Sequence, residues 1–425
     1  MMPDNIPENL RPDPYAALRY PEFRSYVAMR FLLTFAYQIQ AVVIGWHIYQ
    51  LTKDPLSLGL IGLAEAIPAI SVSLYGGYVA DKSDKKKMLV WVISAMALCS
   101  FILFLVTMKQ TLIPIPGSWV IPVIYGMIFF IGIARGFFSP TAFSLMAQIV
   151  PKKHYPNSST WNSSSWQVAS IVGPAIGGLL YGFSGVTACF LVILVFMLAA
   201  LTSIFFFVKS KPPQFIPKEN IYQSLAEGIR FVFKSKMVLG ALSLDMFSVF
   251  FGGAVALMPI FAHDILQVGA EGLGIMRAAP AAGAVITMFV MARYSPMGRP
   301  WRNLLIAVAG FGLSIIAFGL SRNFYLTLVI LFCEGCFDSV SVIIRSTILQ
   351  LLTPDGMRGR VAAVNSMFIG SSNEIGAFES GATARLMGTI PSVIFGGTMT
   401  LMVVTITYLK TRKLVPLSLK EIHPH

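Results

Sequence analysis

The chain has 425 residues, of which 56% are hydrophobic and only 12% charged, with 32 Lys+Arg against 19 Asp+Glu and a net charge of +13. Ordinary globular proteins carry about 25% charged residues, so composition excludes a pair of water-soluble domains. A charge of +13 would suit a nucleic-acid binder, but its distribution along the chain excludes that too.

Met1–Arg24 is polar and proline-rich, carries both charge signs and lacks a signal-peptide pattern. Twelve apolar runs follow, at 25–51, 56–80, 88–108, 119–147, 158–183, 186–208, 237–262, 272–294, 303–320, 323–350, 361–386 and 389–409. Each is long enough to cross a bilayer as a helix. With a cytoplasmic N-terminus, twenty-four of the 32 Lys+Arg fall in the tails and in the loops on that side, including Lys82, Lys85, Lys86, Lys87, Arg358 and Arg360. Only Lys53, Lys109 and Arg322 fall in the opposite loops, and Arg30, Arg135, Arg277, Arg345 and Arg385 lie within runs. This is the positive-inside bias in strong form. It predicts both termini in the cytoplasm, and it accounts for the basic balance without a nucleic-acid partner.

Six runs precede the polar stretch Lys209–Lys236 and six follow it. The stretch holds Leu225, Ile229 and Val232 at helical spacing, the pattern of an amphipathic helix on a membrane surface. The expected plan is a tail over 1–24, a six-helix half over 25–208, a linker over 209–236, a second half over 237–410 and a tail over 411–425. The fold class is an all-α membrane protein with twelve spans in two pseudo-symmetric halves. Spans 3, 6, 9 and 12 contain no Asp, Glu, Lys or Arg. Because a charge facing lipid costs about 2.5–3.5 kcal/mol or more, those four are expected outermost, with spans 1, 4, 7 and 10 around a central cavity.

Nothing in the chain supports catalysis or a resident cofactor. No phosphate loop, Gly-x-Ser-x-Gly or His-Glu-x-x-His pattern occurs, so the protein is expected not to be an enzyme. Cys333-x-x-Cys336 lies in an apolar run without a second pair or a nearby histidine, so these read as small core residues and no metal is expected.

The loop Gly77-Tyr-Val-Ala-Asp-Lys-Ser-Asp-Lys-Lys-Lys87 resembles motif A of the major facilitator superfamily. Gly77 and Asp81 match, Lys82 stands for the first arginine of that motif, and Lys85 and Lys86 for its basic pair. Asp84 stands where a second glycine is usual. Arg135-Gly-Phe-Phe-Ser-Pro140, Ile171-Val-Gly-Pro-Ala-Ile-Gly-Gly178 and Asp355-Gly-Met-Arg-Gly-Arg360 look most like the branch of siderophore and macrolide exporters. The resemblance implies that Gly77, Asp81, Lys82, Lys85, Lys86, Arg358 and Arg360 form a cytoplasmic latch. The alternative is that the lysines only anchor the loop to anionic lipid. It also implies that Gly173, Pro174, Gly177 and Gly178 form the seam of an antiporter motif, against ordinary small-residue packing.

Glu334 and Asp338 are four residues apart on one helical face, and two acids this close resist ionising together. They are the first candidates to carry a coupling proton, with Asp245 a third. Arg345 is expected near the face of Asp338, where it would neutralise one acid. Arg30, Arg135 and Glu65 are candidates for the substrate cavity, the arginines either meeting an anionic ligand or clamping acids such as Glu65. Glu374 and Glu379 are expected to pair with arginines or polar neighbours between the halves. The expected function is proton-coupled export of an amphipathic small molecule, by a monomer in a bacterial inner membrane. A proton-coupled importer of a nutrient is the alternative. A non-transporting receptor or scaffold would leave the buried charges without a role.

Overall fold

The computed structural model describes residues 15–108, 117–209, 221–294, 296–354 and 357–417, and among them every regular element is helical. The helices are α1 Pro21–Thr52, α2 Pro55–Lys82, α3 Lys85–Met108, α4 Gly117–Ile149, α5 Tyr155–Phe207, α6 Ile221–Lys234 and α7 Lys236–Phe251. After the single turn α8, Met258–Ile260, come α9 Gly269–Arg293, α10 Pro300–Leu320, α11 Phe324–Leu352, α12 Arg358–Met387 and α13 Thr389–Lys410. Ten of the helical segments are long and apolar enough to cross a membrane. The protein is an all-helical, multi-pass membrane protein.

The breaks between helices follow from local chemistry. Asp54 caps α2 by accepting from the Leu56 amide at 3.1 Å, and Pro55 starts that helix where its missing N–H costs nothing. Asn323 caps α11 through Leu326 N at 3.1 Å, and Ser235 caps α7 through Val238 N at 3.4 Å. Between α1 and α2 the chain turns in two residues, with Lys53 in the left-handed region at φ 51°.

Helix α5 is broken within its length. At Gly185 the backbone takes φ 74° and ψ 176°, a conformation that favours glycine. On one side of that break Asn157 accepts from the Ala17 amide at 2.9 Å, and Tyr181 donates to Gln50 at 2.7 Å. On the other side Ser203 donates to the Ser25 carbonyl at 2.9 Å. Thus α5 runs from the start of α1 to its Thr52 end, reverses at Gly185 and returns. It is an antiparallel hairpin, as the separate apolar runs at 158–183 and 186–208 predict.

Helix α7 ends at Phe251 and the chain continues as a 3-10 turn over Gly253–Leu257, then α8, then a π-helical turn over Phe261–Ile265. Such irregular helix marks a hinge or a functional bend. Helix α12 is too polar to count among the ten apolar spans, yet it lies antiparallel along α2. Asp54 meets Arg385 at 3.4 Å near one end, and a β-carbon at Gly62 would stand 2.9 Å from the Glu374 carbonyl further along.

One hydrophobic core draws only on residues of α1 to α5 and the turns beside them. Two smaller ones draw only on residues beyond Phe231. A fourth joins them: Val42, Trp46, Tyr49 and Leu58 pack with Leu257, Phe261, Leu273 and Phe318. The joining core therefore lies toward the Thr52 end of α1. Helix α6 packs on α7 and α12. Its Val232 is fully buried, Ile229 remains open, and the side chain of Leu225 lies outside the described residues.

Candidate functional site

The densest intramembrane charge cluster draws on four helices. Arg135 of α4 forms an ion pair with Glu65 of α2. It also donates to the Tyr37 hydroxyl of α1 at 2.7 Å, and that hydroxyl donates to Glu65 at 2.6 Å. The guanidinium lies 4.6 Å from the centre of the Tyr37 ring. Glu374 of α12 approaches the same guanidinium at 3.6 Å. One arginine therefore faces two acids, one from each end of the sequence, across the α2–α12 contact. Arg135 and Glu65, both named from the sequence, are thus in direct contact. Tyr37 escapes a sequence reading because its partners are distant in the chain.

Arg30 of α1 has its guanidinium carbon 5.7 Å from the ring of Phe138, about one turn beyond Arg135 on α4, and its buried Nε has no hydrogen-bond partner among the described residues. Arg277 of α9 has an unpartnered, buried Nε as well.

Arg345 of α11 does not face Asp338 or Glu334. It pairs with Asp245 of α7, with side chains 6% and 9% exposed. Seven residues along a helix rise about 10 Å, too far for direct contact with Asp338, so the cation takes its partner from the neighbouring helix. Glu334 is 9% exposed and has no hydrogen bond or ion pair among the described residues. It lines a small cavity with Gly252, Val255, Met258, Ser314 and Phe318, directly against the break of α7. Asp338, one turn on, is half-buried. Glu379 accepts from its neighbour Ser380 at 3.4 Å.

Of the motif A residues, Gly77 and Asp81 lie in α2, but the side chain of Asp81, like those of Arg358 and Arg360, lies outside the described residues. Lys82 is exposed, Lys85 is buried, and the Lys86 ammonium stands 5.6 Å from the Phe205 ring. Cys333 and Cys336 are free thiols, and Cys336 donates to the Gly283 carbonyl at 3.5 Å where α9 crosses α11.

The family described as transmembrane secretion effectors matches residues 12–421. The chain belongs to that family, within the major facilitator superfamily. Among curated relatives, the enterobactin exporter EntS of Shigella boydii serotype 18 and that of Escherichia coli O139:H28 are each 25% identical over 388 residues, covering 89% of both chains. A bacterial homologue of the human lysosomal transporter Spinster, in an inward-facing and unoccupied conformation, superposes with a TM-score of 0.70 at 14% identity, over 92% of this chain and 97% of the other. A POT family transporter in complex with a thioalcohol-conjugated peptide superposes with a TM-score of 0.71 at 13% identity, over 92% and 96%. The chain is a transporter and not an enzyme.

In this transporter the run Gly173–Gly178 is a packing surface on two sides. Gly173 abuts Phe35 and Gln38 of α1, Gly177 abuts Ile39, and Gly178 lies directly against the backbone of Gly274 in α9. Only a residue without a side chain permits that last approach. A β-carbon on Gly178 would collide with Gly274 and stand 3.0 Å from the Ala270 carbonyl. Overpacking of this kind costs about 1–3 kcal/mol. Gly178→Ala should therefore weaken closure at the Thr52 end without unfolding the bundle. The check is thiol labelling of a cysteine introduced at Gln50, which should quicken about tenfold; an unchanged rate would remove Gly178 from the closure.

Proposed function

We propose that the protein is a proton-driven exporter of an amphipathic small molecule, built from twelve spans in two six-helix halves and working by alternating access as a monomer. With α5 taken as two antiparallel spans about Gly185 and the more polar α12 as a further span, the helices support that count. The halves are residues 25–208 and 237–410, joined by the 209–236 linker with α6, between cytoplasmic tails over 1–24 and 411–425. The positive-inside bias supports cytoplasmic termini in a bacterial inner membrane. The Thr52 end then faces outward, and the joining core, the Gly178–Gly274 contact and the Asp54–Arg385 pair describe a transporter closed to the outside.

The observation that carries the coupling is Glu334. A carboxyl group buried in a span, without a bonded partner among the described residues and against the break of a neighbouring helix, is suited to take up and release a proton. Asp338 on the same face is its partner in relay. Asp245 is already held by Arg345, which supports the α11 acids over Asp245 as the coupling site. The cluster Arg135–Glu65–Tyr37–Glu374 is suited to a second role. Rocking of the halves separates Glu374 from Arg135, and an anionic group of the cargo is the natural replacement. Arg30 of α1, beside Phe138 of α4, adds a second cation near the same site. The similarity to enterobactin exporters supports a siderophore-like or drug-like cargo and outward transport.

Direction is tested in everted membrane vesicles with an imposed pH gradient, acid inside. A catecholate siderophore supplied outside should accumulate in the vesicles and leave when the gradient is collapsed. Depletion of preloaded cargo under the same gradient would identify an importer instead.

A further inference from the structure

At the Thr52 end a chain of four side chains ties α1 to the π-helical turn that follows α8. The Tyr49 hydroxyl donates to Asp264 Oδ2. His263 Nδ1 lies 2.5 Å from Asp264 Oδ1, and Lys53 Nζ lies 2.7 Å from His263 Nε2. The imidazole packs between the Trp46 and Tyr49 rings, at 5.7 and 5.8 Å between centroids. Lys53 and Asp54 make up the whole turn between α1 and α2, and both reach the other half, Lys53 to His263 and Asp54 to Arg385 at 3.4 Å.

Hydrogen-bond chemistry sets the protonation state of this chain. The lysine ammonium is a donor with no acceptor, so His263 Nε2 must offer its lone pair. The ring is then neutral, with its proton on Nδ1 donated to Asp264. Adding a proton at Nε2 removes the acceptor that Lys53 needs and sets an imidazolium against an ammonium. The bond to Asp264 strengthens at the same time, because it becomes charge-assisted, but that bond lies within the one turn and joins nothing across the seam. Protonation therefore cuts the Lys53 link and leaves Tyr49–Asp264 as the remaining tie of this chain. The other groups facing the ring do not reverse this balance. Gln50 of α1, Tyr181 of α5 and Gln267 are neutral, and Glu271 of α9 is the one other acid lining the same cleft.

We propose that His263 is a proton-binding site at the outer mouth, and that a proton taken from outside at Nε2 unlatches the closed state. This rests on the outward orientation and proton coupling argued above. It adds a second proton-binding group in the turn that follows α8, on the outer side of the α7 break that Glu334 lines, one that meets external acid before the coupling site is reached.

The test is the distance between spin labels at Leu51→Cys and Leu386→Cys, in full-length protein with Cys333 and Cys336 replaced by Ser, in lipid nanodiscs without cargo or gradient. The long-distance, outward-open population should rise about tenfold from pH 8 to pH 5, the worth of one hydrogen bond to a charged group. His263→Gln keeps an acceptor for Lys53 and a donor for Asp264 but cannot titrate. It should stay closed at both pH values. Lys53→Met should be more open than the parent already at pH 8. A His263→Gln protein with the parent's pH response would overturn the proposal, as would a Lys53→Met protein as closed as the parent at pH 8. Because no transport is measured, failure here is separable from failure of the proton-export reading. A flat His263→Gln response together with gradient-independent transport would retain the latch and discard the coupling.

Discussion

Glu334→Gln combined with Asp338→Asn should abolish accumulation of cargo against a gradient while leaving downhill exchange intact. The two carboxyls occupy successive turns of one face of α11, and neither has a hydrogen bond or ion pair among the described residues, so their neutral analogues break no contact. The bundle should fold and reach the membrane at parental levels. What disappears is the exchange of a proton for cargo. One charge moved through 100 mV contributes about 2.3 kcal/mol, a concentration ratio of roughly 50-fold, and this ratio should fall to unity. The measurement is steady-state accumulation in everted vesicles, set beside counterflow in the same vesicles without a gradient. A double variant that still pumps uphill would exclude both carboxyls. A double variant that fails in counterflow too would show that they serve the transport path rather than its coupling.

The largest loss of stability is expected from Asp245→Ala. Its removal strands the Arg345 guanidinium, 6% exposed, between α7 and α11 with no charge to meet it. Breaking a buried pair by deleting one partner costs about 3–5 kcal/mol, whereas replacing both partners with apolar residues of similar size is often close to neutral. The double variant Asp245→Leu, Arg345→Met should therefore recover most of what Asp245→Ala loses. Thermal unfolding of the purified protein in detergent reads this directly, as a fall of several degrees in the single variant and a return toward the parent in the double. Equal losses in both would mean that the site contributes through packing or through a moving charge, and that the pair is not a self-contained clamp.

The prediction of Arg345 as a neighbour of Asp338 shows where sequence reasoning ran out. Helical spacing correctly put the two on one side of α11, but phase on a helix says nothing of distance along it. Seven residues separate them by two turns, and the adjacent helix offered a closer acid. Glu374 was expected to pair with an arginine or a polar neighbour, and it lies 3.6 Å from Arg135. The identity of that arginine, and the presence of the Tyr37 hydroxyl in the cluster, depended on which helices pack together. The same holds for Lys53, His263, Asp264 and Tyr49. In sequence they are a loop lysine, a scattered histidine and two unremarkable polar residues, more than two hundred positions apart across the seam.

What the amino-acid sequence determined by itself was whatever depends on composition and local order. Apolar runs of bilayer length made the protein a membrane bundle, and capping residues such as Asp54, Ser235 and Asn323 set where helices begin. The paired runs around Gly185 announced the turn between them. The loop lysines and the motif at Gly77–Lys87 carried the resemblance to the superfamily. What only the tertiary structure decided was the pairing of charges: Arg135 with Glu65, Arg345 with Asp245, and Glu334 with none among the described residues. A lone charge in a span is costly, and the sequence therefore signals that each must be compensated. Which partner compensates it is settled by the packing of helices far apart in the chain, where a contact of a few ångströms outweighs any regularity along the chain.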